Sequence, residues 1–346
     1  MRYVWLDLLR WVLASGVFFY HSLEQRLGDY PEWEPLSKVG GLGILPFFVI
    51  SGLAISLTLS RSTPTSFVKN RITRLLPAIL FVALLQIVIT AWSSRHNFLE
   101  SDNLKIFLRD VAQGFVPLPN QDGSFTNFVT WTIAIEVRFY ALALLLLLIM
   151  KVARRTLSAR TLYIALATWI GLLYLNSYSS IPIVDPLIIP TEGPLFALGV
   201  LFGLVVQKQV RKSQLLVLFV FLIPLLGRQI YIAISGYPPQ IAFADLLFIL
   251  ISISLVFALL FIPNPKPLWA QNAFTEIGKA SYSLYLLGGA FGMAVFRLPQ
   301  IQVLGTPISQ AASYIFISVI AVTFSVSIDR RLGGFLFPRN SVTSPQ

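Results

Sequence analysis

Residues 131–150 read WTIAIEVRFYALALLLLLIM, twenty residues that hold one carboxylate, one guanidinium and otherwise almost nothing but apolar side chains. A run of that length and character is what a helix needs to cross a hydrocarbon layer about 30 Å thick. It is not alone. Comparable runs lie near 3–22, 41–60, 75–92, 162–178, 187–206, 215–234, 242–262, 277–296 and 308–328. The composition of the whole chain agrees: 346 residues, 56% hydrophobic and only 12% charged, about half the charged share of a soluble domain. The expected fold is therefore all-α, a polytopic membrane protein with about ten transmembrane helices. No polar linker divides it, so residues 1–335 read as a single transmembrane domain, with 336–346 as a disordered cytoplasmic tail.

Charge fixes an expected orientation. The formal net charge is +11, but the cations sit in short loops between apolar runs, which argues for topology rather than nucleic acid as their purpose. Arg61, Lys69, Arg71 and Arg74 follow the second run, Lys151, Arg154, Arg155 and Arg160 the fourth, and Lys208, Arg211 and Lys212 the sixth. Glu24, Asp29, Glu32 and Glu34 occupy the loop after the first. The positive-inside rule then places both termini in the cytoplasm. The first run carries Asp7 and Arg10 and lacks a small-residue cleavage site, so it reads as a retained helix and not a signal peptide. The longest polar segment, 93–130, falls outside, and 104–115 has the spacing of either a surface-lying amphipathic helix or an ordinary loop. With no cysteine and two histidines, thiolate chemistry is excluded and no metal site is expected.

Ionisable residues inside apolar runs are costly and mark function. Arg10 and His21 lie eleven residues apart, close to a whole number of turns at about 3.6 residues per turn, so they share a helix face some ~16 Å apart along its axis. Asp7, one turn before Arg10, is on the same stripe. Asp7 and Arg10 also have the spacing of a local ion pair, but such a pair leaves His21 unexplained. Glu136 lies a turn or two from the outer end of its run and is suited either to orient the His21 imidazole or to pair with Arg138. The basic segment holding Lys69, Arg71 and Arg74 is either topogenic and lipid-binding or a phosphate trap, since arginine binds phosphate well.

Five segments, in order, give the chain a family likeness: Leu6-Asp7-Leu8-Leu9-Arg10 with His21; Phe47-Phe48-Val49-Ile50-Ser51-Gly52; the basic segment from Phe67 to Pro77; Trp131 to Tyr140, with the W-S/T-x-x-x-E-x-x-F-Y pattern; and Ile277-Gly278-Lys279-Ala280-Ser281-Tyr282-Ser283-Leu284-Tyr285-Leu286. This set resembles the acyltransferase-3 family, bacterial integral-membrane proteins that O-acylate surface or secreted glycans. The chain departs from the pattern at Leu287, Gly288 and Gly289, where many members carry a histidine, and at Val137 and Arg138.

The resemblance implies a stand-alone, multi-pass enzyme of the bacterial cytoplasmic membrane. It would carry no permanently bound cofactor and would take acetyl-CoA or another acyl-CoA as donor, with a glycan or lipid-linked sugar as acceptor. It further implies His21 and Glu136 as the catalytic pair, Arg10, Lys69, Arg71 and Arg74 as donor-binding residues, and Asp7, Ser51, Trp131, Tyr140, Ser281, Tyr282 and Tyr285 in support. Membrane lipids are expected partners, nucleic acid is not, and a homo-oligomer stays open. The competing expectations are a polysaccharide or small-solute transporter, which also uses intramembrane charges and broken helices, and a non-catalytic scaffold. The inverted repeat common in transporters is not visible in the sequence.

Overall fold

The computed structural model describes residues 2–24, 39–94, 130–178, 188–235, 239–289, 291, 295 and 306–329. The segments 93–130 and 336–346 thus lie largely or wholly outside the described residues, and with them the amphipathic stretch and the tail. Among the described residues there is no strand. The chain forms α1 (Val4–Glu24), α2 (Ile44–Leu59), α3 (Pro64–Ser94), α4 (Thr130–Val152), α5 (Ala159–Tyr178), α6 (Gly193–Gln207), α7 (Lys212–Ile234), α8 (Pro239–Ala258), α9 (Leu268–Gly288) and α10 (Thr306–Phe324), the last running into a π-helical turn at Ser325–Asp329. These principal helices correspond one for one with the apolar runs.

Among the described residues, four stretches suffice by length and composition to cross a membrane: Val39–Leu59, Trp131–Val152, Lys212–Ile234 and Ile308–Ser327, with Gly193–Gln207 and Ala242–Ala258 apolar but shorter. Of the other four principal helices, α1, α3 and α9 carry internal charges. Arg10, Arg74 and Glu276 with Lys279 lower their hydropathy. The outer rim is apolar. Leu216, Val217, Phe219, Val220, Phe221 and Ile223 on α7 stand exposed, as do Phe243, Leu250 and Ile251 on α8. Water would not tolerate so continuous a patch; lipid does, and the protein is a membrane protein.

Two helix starts differ most from the hydropathy reading. The basic segment is not a loop but the first turns of α3. Pro64 occupies the opening position of this helix, where its missing N–H costs nothing. Thr63 and Ser66 cap it reciprocally, Thr63 N donating to Ser66 Oγ at 2.9 Å and Ser66 N to Thr63 Oγ1 at 3.2 Å. As a result Phe67, Arg71 and Arg74 fall at i, i+4 and i+7, on one face. Likewise α9 starts at Leu268, just after Pro267, rather than near Ile277, and ends at a glycine pair.

Lipid tails give no hydrophobic drive to helix pairing, so close backbone packing must supply it. The most extensive contact joins α2 to α6, and glycines explain why. A Cβ at Gly52 would lie 3.0 Å from the Phe196 carbonyl carbon, and one at Gly199 would lie 2.7 Å from Leu53 N. Gly199 and Gly203 form a G-x-x-x-G step on α6 that faces Gly52 and Ser56 on α2. The second major seam joins α1 to α9. A Cβ at Gly278 would lie 2.7 Å from Asp7 Cα, and one at Gly288 would lie 3.3 Å from the Phe18 ring. These two contacts, near opposite ends, show that α1 and α9 run in the same direction. The start of α1 is held in trans: Val4 N donates to Asn264 Oδ1 at 3.1 Å, and Asn264 Nδ2 donates to Arg2 O at 2.9 Å.

Candidate active site

The α1, α2, α3, α4 and α9 helices leave a cavity of about 580 Å3, its open mouth included. Its polar lining is Arg10 (α1), Ser51 (α2), Arg74 (α3), Thr132 and Glu136 (α4), and Tyr282 and Tyr285 (α9). The rest is apolar, chiefly Ile44, Phe47, Phe48, Ile50, Ala54 and Ile133. Each of the five motif segments of the sequence contributes at least one of these side chains.

Every polar group reaches the cavity by local logic. Ser51 sits beside Gly52, whose missing side chain lets α2 lie on the α6 backbone. Ser51 Oγ donates to Glu136 Oε1 at 2.6 Å. Tyr140, one turn along α4, also donates its hydroxyl to Glu136 Oε1. Tyr140 in turn packs edge-on against Phe67, with ring centroids 6.2 Å apart. The Arg71 guanidinium lies over both rings, 5.2 Å from the Phe67 centroid and 5.1 Å from that of Tyr140, a cation–π geometry. Arg74, one turn further on the same face, enters the cavity, where it and Arg10 balance the charge of Glu136. Tyr285 and Thr132 share a hydroxyl–hydroxyl hydrogen bond of 2.8 Å that ties α9 to α4. Ser281 Oγ donates to Gly278 O at 2.7 Å, at the turn where α9 meets Asp7.

Some sequence-chosen residues lie elsewhere. Asp7 is buried and its carboxylate accepts from Arg2 Nε at 2.6 Å; its ion-pair partner is Arg2, not Arg10. Lys69 is half-buried on α3 and does not line the cavity. Trp131 packs against Phe48, centroids 6.5 Å apart, and so braces the wall without lining it. His21 occupies the last turn of α1, its ring 5.0 Å from that of Tyr20, and is not among the cavity-lining residues. The seam glycines show the levels. Gly41 abuts Tyr20 and Gly43 abuts Leu13 and Val17, so Ser51, eight residues further down an antiparallel α2, falls at the Asp7–Arg10 turn, and it lines the same cavity as Arg10. Glu136, bonded to Ser51, shares that level. The described contacts of Glu136 are with Ser51 and Tyr140; none reaches His21. The cavity extends from the Arg10 level up to Ile44, next to the Gly43 that meets Leu13 and Val17, and so ends about one to two turns short of His21.

Sequence reasoning passed over Thr132 and Arg2. Thr132 fills the S/T slot of the W-S/T-x-x-x-E pattern, so its signal was present. Arg2 carried none, because its pairing with Asp7 depends on how the chain enters α1.

A helical bundle with a lipid-facing rim and a charged internal cavity defines a membrane-embedded protein. The chain belongs to the acyltransferase-3 family: the model for that family, described as an acyltransferase domain, matches residues 3–330, nearly the whole chain. No curated protein and no solved structure matches it. Family membership makes the protein a membrane acyltransferase and disfavours the transporter reading.

Proposed function

We propose that the protein is an O-acyltransferase, most simply an O-acetyltransferase, of the bacterial cytoplasmic membrane, carrying an acyl group from cytoplasmic acyl-CoA to a hydroxyl of an extracytoplasmic or lipid-linked glycan. The observation that carries this reading is the cavity itself. It places two arginines and a carboxylate in the middle of the bundle, directly above the cationic first turns of α3. With both termini in the cytoplasm, Lys69 and Arg71 face the side on which acyl-CoA is found and attract its phosphates. Arg10 and Arg74 then receive the inner part of the donor. The Arg10-to-His21 stripe on α1 leads some ~16 Å from there towards the outer side.

On this reading His21 meets the thioester and the acceptor. As a base it takes the proton of the acceptor hydroxyl while that oxygen attacks the thioester carbonyl, and the CoA thiolate leaves. As a nucleophile it would hold the acyl group in passing, with the same leaving group. Glu136 is assigned to the Arg10 level, where it keeps the two guanidinium groups from repelling one another. The chain has no cysteine, so it adds no thiol of its own to a titration of released CoA. The expectation is acceptor-dependent thiol release in wild-type membranes and its loss in His21→Ala. Wild-type rates in that variant would remove His21 from the mechanism.

A further inference from the structure

Three features of the cavity are not used by charge balance. The Tyr282 hydroxyl is buried and has no hydrogen-bond partner among the described residues. The Arg10 Nε–H is likewise buried and without a partner there. Both hydroxyl donors of Glu136 converge on Oε1, and no hydrogen bond among the described residues falls on Oε2. Two donors and one acceptor therefore line the cavity beside Arg74 and the already bonded hydroxyls of Ser51, Thr132 and Tyr285, the other walls being apolar, and all three belong to residues at one level. That Tyr282 lies level with Arg10 follows from the α1–α9 register, in which Gly278 meets Asp7 and Gly288 meets Phe18.

An orphaned buried donor is costly, and each such group calls for a partner, which a bound ligand supplies. The ligand's chemistry can be read from the set. A phosphate would satisfy the donors but would meet the Glu136 carboxylate. A plain alkyl chain would suit the walls and leave all three polar groups unmet. A secondary carboxamide in a slender, otherwise apolar chain offers one N–H and one C=O side by side, and so matches an acceptor flanked by donors.

We propose that this level of the cavity is a carboxamide subsite for the acyl donor: Tyr282 O–H and Arg10 Nε–H donate to an amide carbonyl of the donor's linear arm, and Glu136 Oε2 accepts its N–H. The assignment rests on the acyltransferase reading given above and adds to it the residues that select an amide-bearing thioester over a simple one. Tyr282 is then a specificity residue, and it acts on donor affinity rather than on the transfer step. Its position suits this role, because at the Arg10 level it stands well below His21.

The test is equilibrium binding to the purified full-length protein, using an unreactive pantetheine thioether and a chain-matched alkyl thioether without amides. Wild type should bind the pantetheine compound at least tenfold more tightly. Tyr282→Phe, which keeps the ring and loses only the hydroxyl, should reduce that preference by about threefold to tenfold, the worth of one hydrogen bond, with alkyl-thioether binding unchanged. Retained alkyl-thioether binding also shows that the variant is folded. In parallel, Tyr282→Phe should raise KM for acetyl-CoA and leave kcat within about twofold. A wild-type preference that survives in Tyr282→Phe overturns the subsite while leaving the acyltransferase reading intact. A Tyr282-dependent amide preference in a protein that turns over no acyl-CoA keeps the subsite and overturns that reading. Equal binding of the two compounds by wild type overturns the subsite outright.

Discussion

Glu136→Gln is the most informative single substitution. Glutamine is nearly isosteric, and its Oε1 can still accept from Ser51 and Tyr140, so the change removes the charge, together with the Oε2 acceptor proposed for the donor amide, while the two hydrogen bonds persist. What remains is a pair of arginines, Arg10 and Arg74, lining one cavity with no counter-charge among its lining residues. Breaking a fully buried ion pair costs about 3–5 kcal/mol, whereas an exposed pair contributes about 0–1 kcal/mol. Arg10, Arg74 and Glu136 are half-buried, so solvent screening puts the expected cost between these, near 2 kcal/mol. If that cost falls on the donor-bound state, kcat/KM for acetyl-CoA drops by about thirtyfold, at about 1.4 kcal/mol for each factor of ten. The assay is CoA thiol release in membranes. Ser51→Ala and Tyr140→Phe serve as controls that keep the charge and lose one donor each. A Glu136→Gln protein with kcat/KM within twofold of wild type would refute the argument that the carboxylate balances the cavity.

Other expectations follow from the seams. Gly199→Ala places a methyl 2.7 Å from Leu53 N and should destabilise the α2–α6 pair by about 1–3 kcal/mol, whereas Gly227→Ala, whose methyl meets nothing within 4 Å, should be neutral or slightly stabilising; thermal unfolding in detergent compares them. Asn264→Ala removes the side chain that accepts from Val4 N and should cost about 1 kcal/mol by the same measurement, as loss of a helix cap does. Thr132→Val removes the 2.8 Å hydrogen bond to the Tyr285 hydroxyl and should cost about 0.5–1.5 kcal/mol, while Thr132→Ser should restore stability.

Much of this arrangement can be read from the sequence, for identifiable reasons. Apolar runs announce helices because a membrane demands length and hydrophobicity, and these runs match the principal helices. Helix ends are harder. The start of α3 is written in Thr63, Pro64 and Ser66, yet its basic face conceals it from hydropathy, which sees only charge. Pairing is harder still: Gly199 and Gly203 advertise a packing face, but nothing local says that its partner is Gly52 and Ser56. For the cavity, Arg10, Ser51, Arg74, Glu136, Tyr282 and Tyr285 are each recognisable as polar groups in apolar surroundings. What the sequence withholds is their common level. That level depends on helix registers set by the glycine contacts, and it places Glu136 with Arg10 although its depth along α4 alone suggests His21.

The central claim is that the bundle moves an acyl group across the bilayer rather than a whole solute. The direct measurement uses sealed inside-out vesicles containing the protein and supplied externally with acetyl-CoA labelled in its acetyl group. The account predicts label covalently attached to a glycan hydroxyl in the lumen, matched mole for mole by CoA thiol outside, with both signals lost in His21→Ala. Accumulation of an unmodified solute with no thiol released would contradict it.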